Sequence, residues 1–162
     1  MQPVLTGGCQ CGAVRYALAE MPGRTTVCHC RMCQKAVGQP FAVYSTVPIA
    51  AFAWTRGNPP SFHSSSAVER HFCPRCGTPL TFRYLHKEEM DVATGTLDHP
   101  ELVQPTLVVG VESQVPWMYA AVLAPLPHER TEAVASPELL RTLVNYQHPD
   151  HDTPEGWVSA GG

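Results

Sequence analysis

Seven cysteines stand at spacings that suit metal binding: Cys9-x-Cys11, Cys28-x-Cys30-x-x-Cys33 and Cys73-x-x-Cys76. A secreted disulfide scaffold would carry an even count and a higher cysteine density, so close-set thiols in this chain read as metal ligands. In extended chain, residues i and i+2 point the same way, and Cys9 and Cys11 can present two sulfurs side by side. Cys73-Pro74-Arg75-Cys76-Gly77 is a knuckle, two thiolates on a tight turn with a glycine that lets the chain curl back beneath a metal. Two such pairs make a closed four-thiolate zinc site, which contributes folding free energy directly. Cys28, Cys30 and Cys33 remain, and three protein ligands with one open position is the arrangement expected of a catalytic zinc.

Spacing alone leaves the partition open. Cys30 and Cys33 can pair with Cys73 and Cys76 as a zinc ribbon, and His71 can complete a closed, purely structural Cys₃His site. His29, between two ligands, is expected to project away from the metal they share. A redox disulfide fits less well, because no isolated Cys-x-x-Cys opens a helix in a βαβ context. Zinc with three thiolates carries a formal charge of −1, a poor generator of hydroxide but well matched to a soft fourth ligand such as a substrate thiol. The implied reaction is addition of a thiol to a small aldehyde, or the reverse cleavage of a carbon–sulfur bond, with a nearby His or water moving protons.

The elements that must position these thiols read as mainly β. Strands are expected at 14–18, 41–44, 51–54, 68–72, 80–85, 90–94 and, as a buried strand, 106–109, each bounded by Gly, Pro or Asn and together forming a compact antiparallel fold. A short helix is expected over 31–37, stopped by Gly38 and Pro40. A second opens at Ser136-Pro137-Glu138 with Ser as N-cap, and its Leu139, Leu140, Leu143 and Val144 form a packing stripe. A single zinc-binding domain over 5–146 is expected, and the His-, Pro- and Gly-rich stretch 147–162 reads as a loosely held tail in which His148 and His151 are solvated.

Composition narrows the function. At 162 residues with a net charge of −3 and no Lys/Arg run, the chain is not expected to bind nucleic acid or an anionic membrane. Sixteen prolines rule out long helices. No apolar run reaches the ~18–20 residues that span a bilayer, and the first residues do not read as a signal peptide, so a cytoplasmic protein is expected. Arg31 and Lys35 flank the triplet and can hold a carboxylate or offset negative charge. His71 and Tyr84 are acid–base candidates, His63 has no distinguishing context, Leu97-Asp98-His99-Pro100 reads as a turn, and Trp54 and Trp117 as core or pocket wall.

Four stretches resemble, in order, the motifs of the glutathione-dependent formaldehyde-activating enzyme family, which includes centromere protein V. They are Gly7-Gly8-Cys9-Gln10-Cys11-Gly12-Ala13-Val14-Arg15-Tyr16, Cys28-His29-Cys30-Arg31-Met32-Cys33-Gln34-Lys35, Phe72-Cys73-Pro74-Arg75-Cys76-Gly77-Thr78-Pro79-Leu80 and Thr94-Gly95-Thr96-Leu97-Asp98-His99-Pro100. The resemblance implies an Mss4-like β-tent stitched by two zinc ions. It implies that Cys9, Cys11, Cys73 and Cys76 hold a structural zinc and that Cys28, Cys30 and Cys33 hold a catalytic one. The activity it implies is a carbon–sulfur lyase joining glutathione, or a similar thiol, to formaldehyde or another small aldehyde. The alternative is a zinc-stabilised interaction module without catalysis.

Overall fold

The computed structural model describes residues 3–118, 136–144, 146–154 and 156–157. In chain order the elements are β1 (Leu5–Gly8), β2 (Arg15–Leu18), β3 (Arg24–Cys28), α1 (Arg31–Val37), β4 (Ala42–Pro48), β5 (Phe52–Arg56), β6 (Ser61–Ser65), β7 (Val68–Phe72), β8 (Pro79–Tyr84), β9 (Glu89–Ala93), β10 (Leu107–Val109) and α2 (Pro137–Thr142). The fold is mainly β, with two sheets: β1-β2-β5, and a larger one in the order β10-β3-β4-β9-β8-β7-β6.

Period-two alternation explains how β4 serves two cores at once. Val47 points to one face and joins Leu5, Tyr16, Leu18, Leu80 and Val92 in a cluster between the sheets. Ala42 and Tyr44 point to the other, where they pack with Cys33, Val68 and Phe82. Hydroxyls buried in the sheet satisfy one another: Ser45 Oγ lies 3.0 Å from Thr25 Oγ1 and 2.9 Å from Thr94 Oγ1.

Several expectations need correction. β10 runs parallel to β3, not antiparallel, with Val108 opposite Val27, and it lies at the sheet edge with all three residues exposed rather than buried. β1, β3 and β6 were not expected, because Gly-Gly, Thr-rich and Ser-rich segments carry little apolar alternation. The C-terminal helix forms with Ser136 Oγ accepting from the Leu139 N–H at 3.1 Å, but it ends at Thr142. Its stripe is not a packing surface among the described residues, since Leu139 is 52% and Leu143 63% exposed. Trp117 is 56% exposed and so is not core.

Of the segment 147–162, residues 147–154, 156 and 157 are described, and several dock on the N-terminal loop. The His148 N–H donates to the Gln10 carbonyl at 2.7 Å, and the buried His148 ring packs edge-on to Trp157. Arg56 donates to the Thr153 carbonyl at 2.7 Å.

The Leu97–Pro100 turn carries more than a turn. Arg15, 2% exposed, forms a fork with Asp98, its Nη1 donating to Oδ1 at 2.8 Å, and a further contact with Asp152 at 2.7 Å. Burial disfavours the Asp98 anion, but Arg15 and the Thr6 hydroxyl outweigh it and hold the carboxyl below its ordinary range. A depressed folded-state pKa contributes stability that is complete above the ordinary carboxylate value and is lost as pH falls through the depressed one. Asp98→Asn leaves a buried cation short of its partner and is expected to cost about 3–5 kcal/mol at neutral pH. Thermal melts from pH 7 down to pH 2 check this: the wild type should lose more on acidification than the variant.

Candidate metal centre

The first cysteine group is built by two turns that meet. Cys9 follows β1, and its loop is closed by Gly12 N–H to the Cys9 carbonyl (3.0 Å) and Cys9 N–H to the Val14 carbonyl (2.9 Å). Gly12 sits at φ +73°, a left-handed conformation that favours glycine. The knuckle after β7 is closed by Gly77 N–H to the Cys73 carbonyl and Cys73 N–H to the Thr78 carbonyl, both 2.9 Å. Gln10 N–H donates to Thr78 Oγ1 at 3.2 Å, joining the two turns. The result places Cys9, Cys11, Cys73 and Cys76 sulfurs within 4.8 Å of one another.

The second group comes from the end of β3 and the start of α1. Cys30 caps the helix, its sulfur accepting from the Cys33 N–H at 3.4 Å, and Gly38 at φ +65° ends it. The buried Gln34 ties this loop down by donating to the carbonyls of His29 (2.6 Å) and Ser113 (3.0 Å), while His29 N–H donates to the Val109 carbonyl at 2.9 Å. Gly110 presses against the same loop, and a Cβ there would stand 2.6 Å from the Cys30 nitrogen. The sulfurs of Cys28, Cys30 and Cys33 converge within 4.8 Å.

Both groups fit a metal by geometry and donor type. A tetrahedral zinc–thiolate site with Zn–S of 2.3 Å requires sulfurs about 3.8 Å apart. Cys9–Cys11 and Cys11–Cys73 stand at 3.6 and 3.8 Å, and Cys28–Cys30 at 3.5 Å. The Val14 N–H donates to Cys9 Sγ at 3.2 Å, and the Thr78 hydroxyl lies 3.1 Å from Cys76 Sγ. Burial opposes the Cys76 thiolate, but these Thr78 contacts and neighbouring backbone N–H groups bring it down to about 6. Cys33 is pulled down to about 5 by the Cys28 thiol, against its burial and with help from Arg70.

Among the described residues, no histidine joins either group. His71 Nδ1 pairs with Thr81 Oγ1 at 2.9 Å and its ring packs on Trp54. His29 is buried against Phe41. The cysteines of the second group open onto a cavity of about 530 Å³ walled by Met32, Tyr44, Arg70, Phe82 and Val109. Tyr84 is part of the same wall, and exposed His63 lies on β6 at the sheet edge. Lys35 lines a neighbouring cavity of about 400 Å³ and Arg31 is engaged with Gln34 Oε1.

Arg70 was missed in the sequence. Its Nη2 lies 3.5 Å from Cys33 Sγ and its Nη1 donates to Tyr44 Oη at 2.8 Å. The signal was present, because residue 70 shares the inward face of β7 with Val68.

The family described as glutathione-dependent formaldehyde-activating enzyme matches residues 4–113, which include all seven cysteines. The chain belongs to this family. A Schizosaccharomyces pombe protein named as an uncharacterized lyase carries related sequence, 35% identical over 83 residues. That match covers 51% of this chain and 59% of the yeast protein, so the chain spans less than two thirds of that relative's length. A crystal structure of a Rhodobacter sphaeroides protein shares the fold, with a TM-score of 0.52 at 22% identity, covering 64% of this chain and 99% of that one. No helix among the described residues is long and apolar enough to cross a membrane.

Proposed function

We propose that the chain is a zinc-dependent carbon–sulfur lyase that adds a thiol, glutathione or one like it, to a small aldehyde such as formaldehyde, or cleaves the adduct. In this reading Cys9, Cys11, Cys73 and Cys76 hold a structural zinc, and Cys28, Cys30 and Cys33 hold a catalytic zinc. The observation that carries the reading is the convergence of these three sulfurs in the wall of a cavity, with no fourth His, Cys, Asp or Glu ligand among the described residues. Zinc bound there would take a thiol as its thiolate and so supply a sulfur nucleophile at neutral pH.

The chain's own residues shape what reaches that sulfur. Met32, Phe82 and Val109 line the cavity with apolar surface. Tyr44 and Arg70 place a hydroxyl and a fixed positive charge in the same wall. The four-cysteine group stands outside this cavity, among the residues of the core between the sheets.

The test is metal analysis followed by an exchange measurement. About two zinc ions per chain are expected. With ¹³C-formaldehyde and glutathione, exchange NMR should show faster interconversion of free aldehyde and hemithioacetal in the presence of the protein. Two bound zinc ions without acceleration for glutathione, cysteine or a simple alkyl thiol would leave a zinc-stabilised interaction module instead.

A further inference from the structure

We propose that Arg70 is the positioning residue of the three-cysteine centre: its guanidinium balances the thiolates and allows the centre to accept one more anionic sulfur. This rests on the reading of Cys28, Cys30 and Cys33 as ligands of a thiol-binding metal.

Arg70 is 7% exposed on an inward-facing position of β7. Each of its three guanidinium nitrogens has a partner. Nη2 meets Cys33 Sγ at 3.5 Å, Nη1 donates to Tyr44 Oη at 2.8 Å, and Nε donates to Ser64 Oγ at 3.1 Å. The Phe82 ring lies beneath, 4.7 Å from Cζ to the centroid. Residues of β4, β6 and β8 thus fix one side chain of β7 in a single orientation.

A buried cation is costly unless an opposite charge meets it. The ion pairs recorded among the described residues involve Arg15, His99 and Arg141, and none gives Arg70 a carboxylate. The anionic partner it does meet is sulfur. Zinc with three thiolates has a formal charge of −1, and Arg70 brings the local sum to zero. An incoming thiolate then meets a neutral centre rather than a negative one. The planar fork also matters, since one guanidinium grips Cys33 and Tyr44 together and a lysine ammonium cannot reproduce that geometry.

Cobalt(II) in place of zinc gives a sulfur-to-metal charge-transfer absorption, and 2-mercaptoethanol serves as the thiol probe. In the wild type, loaded with two cobalt ions, mercaptoethanol should raise that absorption saturably. Arg70→Met is expected to weaken both cobalt binding at this centre and mercaptoethanol binding by about 10–100-fold, the usual range for groups that support metal ligands. The four-cysteine centre should keep its ion, and Arg70→Lys should recover part of the thiol affinity through its charge. Wild-type affinities in a folded Arg70→Met overturn the proposal. If that variant does not fold, Tyr44→Phe, which keeps the arginine and removes one of its anchors, should bind mercaptoethanol several-fold more weakly, and unchanged binding there overturns it. Arg70-dependent thiol binding without any aldehyde turnover upholds the inference and removes the lyase reading. A wild-type cobalt spectrum that ignores mercaptoethanol overturns the inference.

Discussion

Replacing Cys30 by serine is expected to empty one metal centre and abolish turnover while the fold stands. Serine is among the preferred N-cap residues, so the hydroxyl can take over the bond from the Cys33 N–H that the Cys30 sulfur now accepts, and α1 should survive. As a ligand it fails, because a neutral hydroxyl does not replace a soft thiolate. Zinc should fall from about two ions per chain to about one. Thiol–aldehyde exchange should drop by at least about 100-fold, beyond the range typical of groups that merely support ligands. Far-UV circular dichroism and zinc analysis on the same sample read both halves of the expectation. Retention of both ions would show that Cys30 is not a ligand.

Cys73→Ser is expected to do the opposite and take the fold with it. Cys73 is fully buried, and it packs in the same core as Cys9, Tyr16, Leu80 and Val92. The four-cysteine group ties the loop after β1 to the knuckle after β7, two turns also joined by the bond from Gln10 to Thr78. Structural zinc binding is worth about 10–16 kcal/mol in small zinc domains, as large as the whole stability of a typical domain, about 5–15 kcal/mol. Loss of one of four ligands should leave a chain without a cooperative melt near room temperature. A strong chelator added to the wild type should produce the same unfolding, read by circular dichroism. A cooperative melt in Cys73→Ser within a few degrees of wild type would contradict the structural assignment.

Part of this could be read from residue types alone, although spacing left the partition of the cysteines open. Cysteine spacing pointed to metal binding, and the structure brings together Cys9, Cys11, Cys73 and Cys76, and separately Cys28, Cys30 and Cys33. Helix α1 was legible because Gly38 needs a left-handed conformation where the helix stops. Strands β8 and β9 were legible because their apolar residues alternate, Leu80, Phe82 and Tyr84 in one and Met90 and Val92 in the other.

What escaped depends on partners distant in sequence. β3 is rich in threonine and declares itself only by pairing with β4 on one side and β10 on the other. Asp98 looked like a turn residue because Arg15, its partner, lies 83 positions away. Arg70 looked like an ordinary charge until the fold placed Cys33 beside it. His148 looked solvated because nothing near it in sequence hinted at Gln10.

The two buried clusters have no side chain in common: one contains Cys9 and Cys73 with the aliphatic residues between the sheets, the other Cys33, Ala42, Tyr44, Val68 and Phe82. They are nonetheless neighbours, because β4 sends Ala42 and Tyr44 to one cluster and Val47 to the other. Substitution at Tyr44, Val68 or Phe82 reshapes the wall of the cavity of about 530 Å³ without removing a side chain from the cluster that contains Cys9 and Cys73.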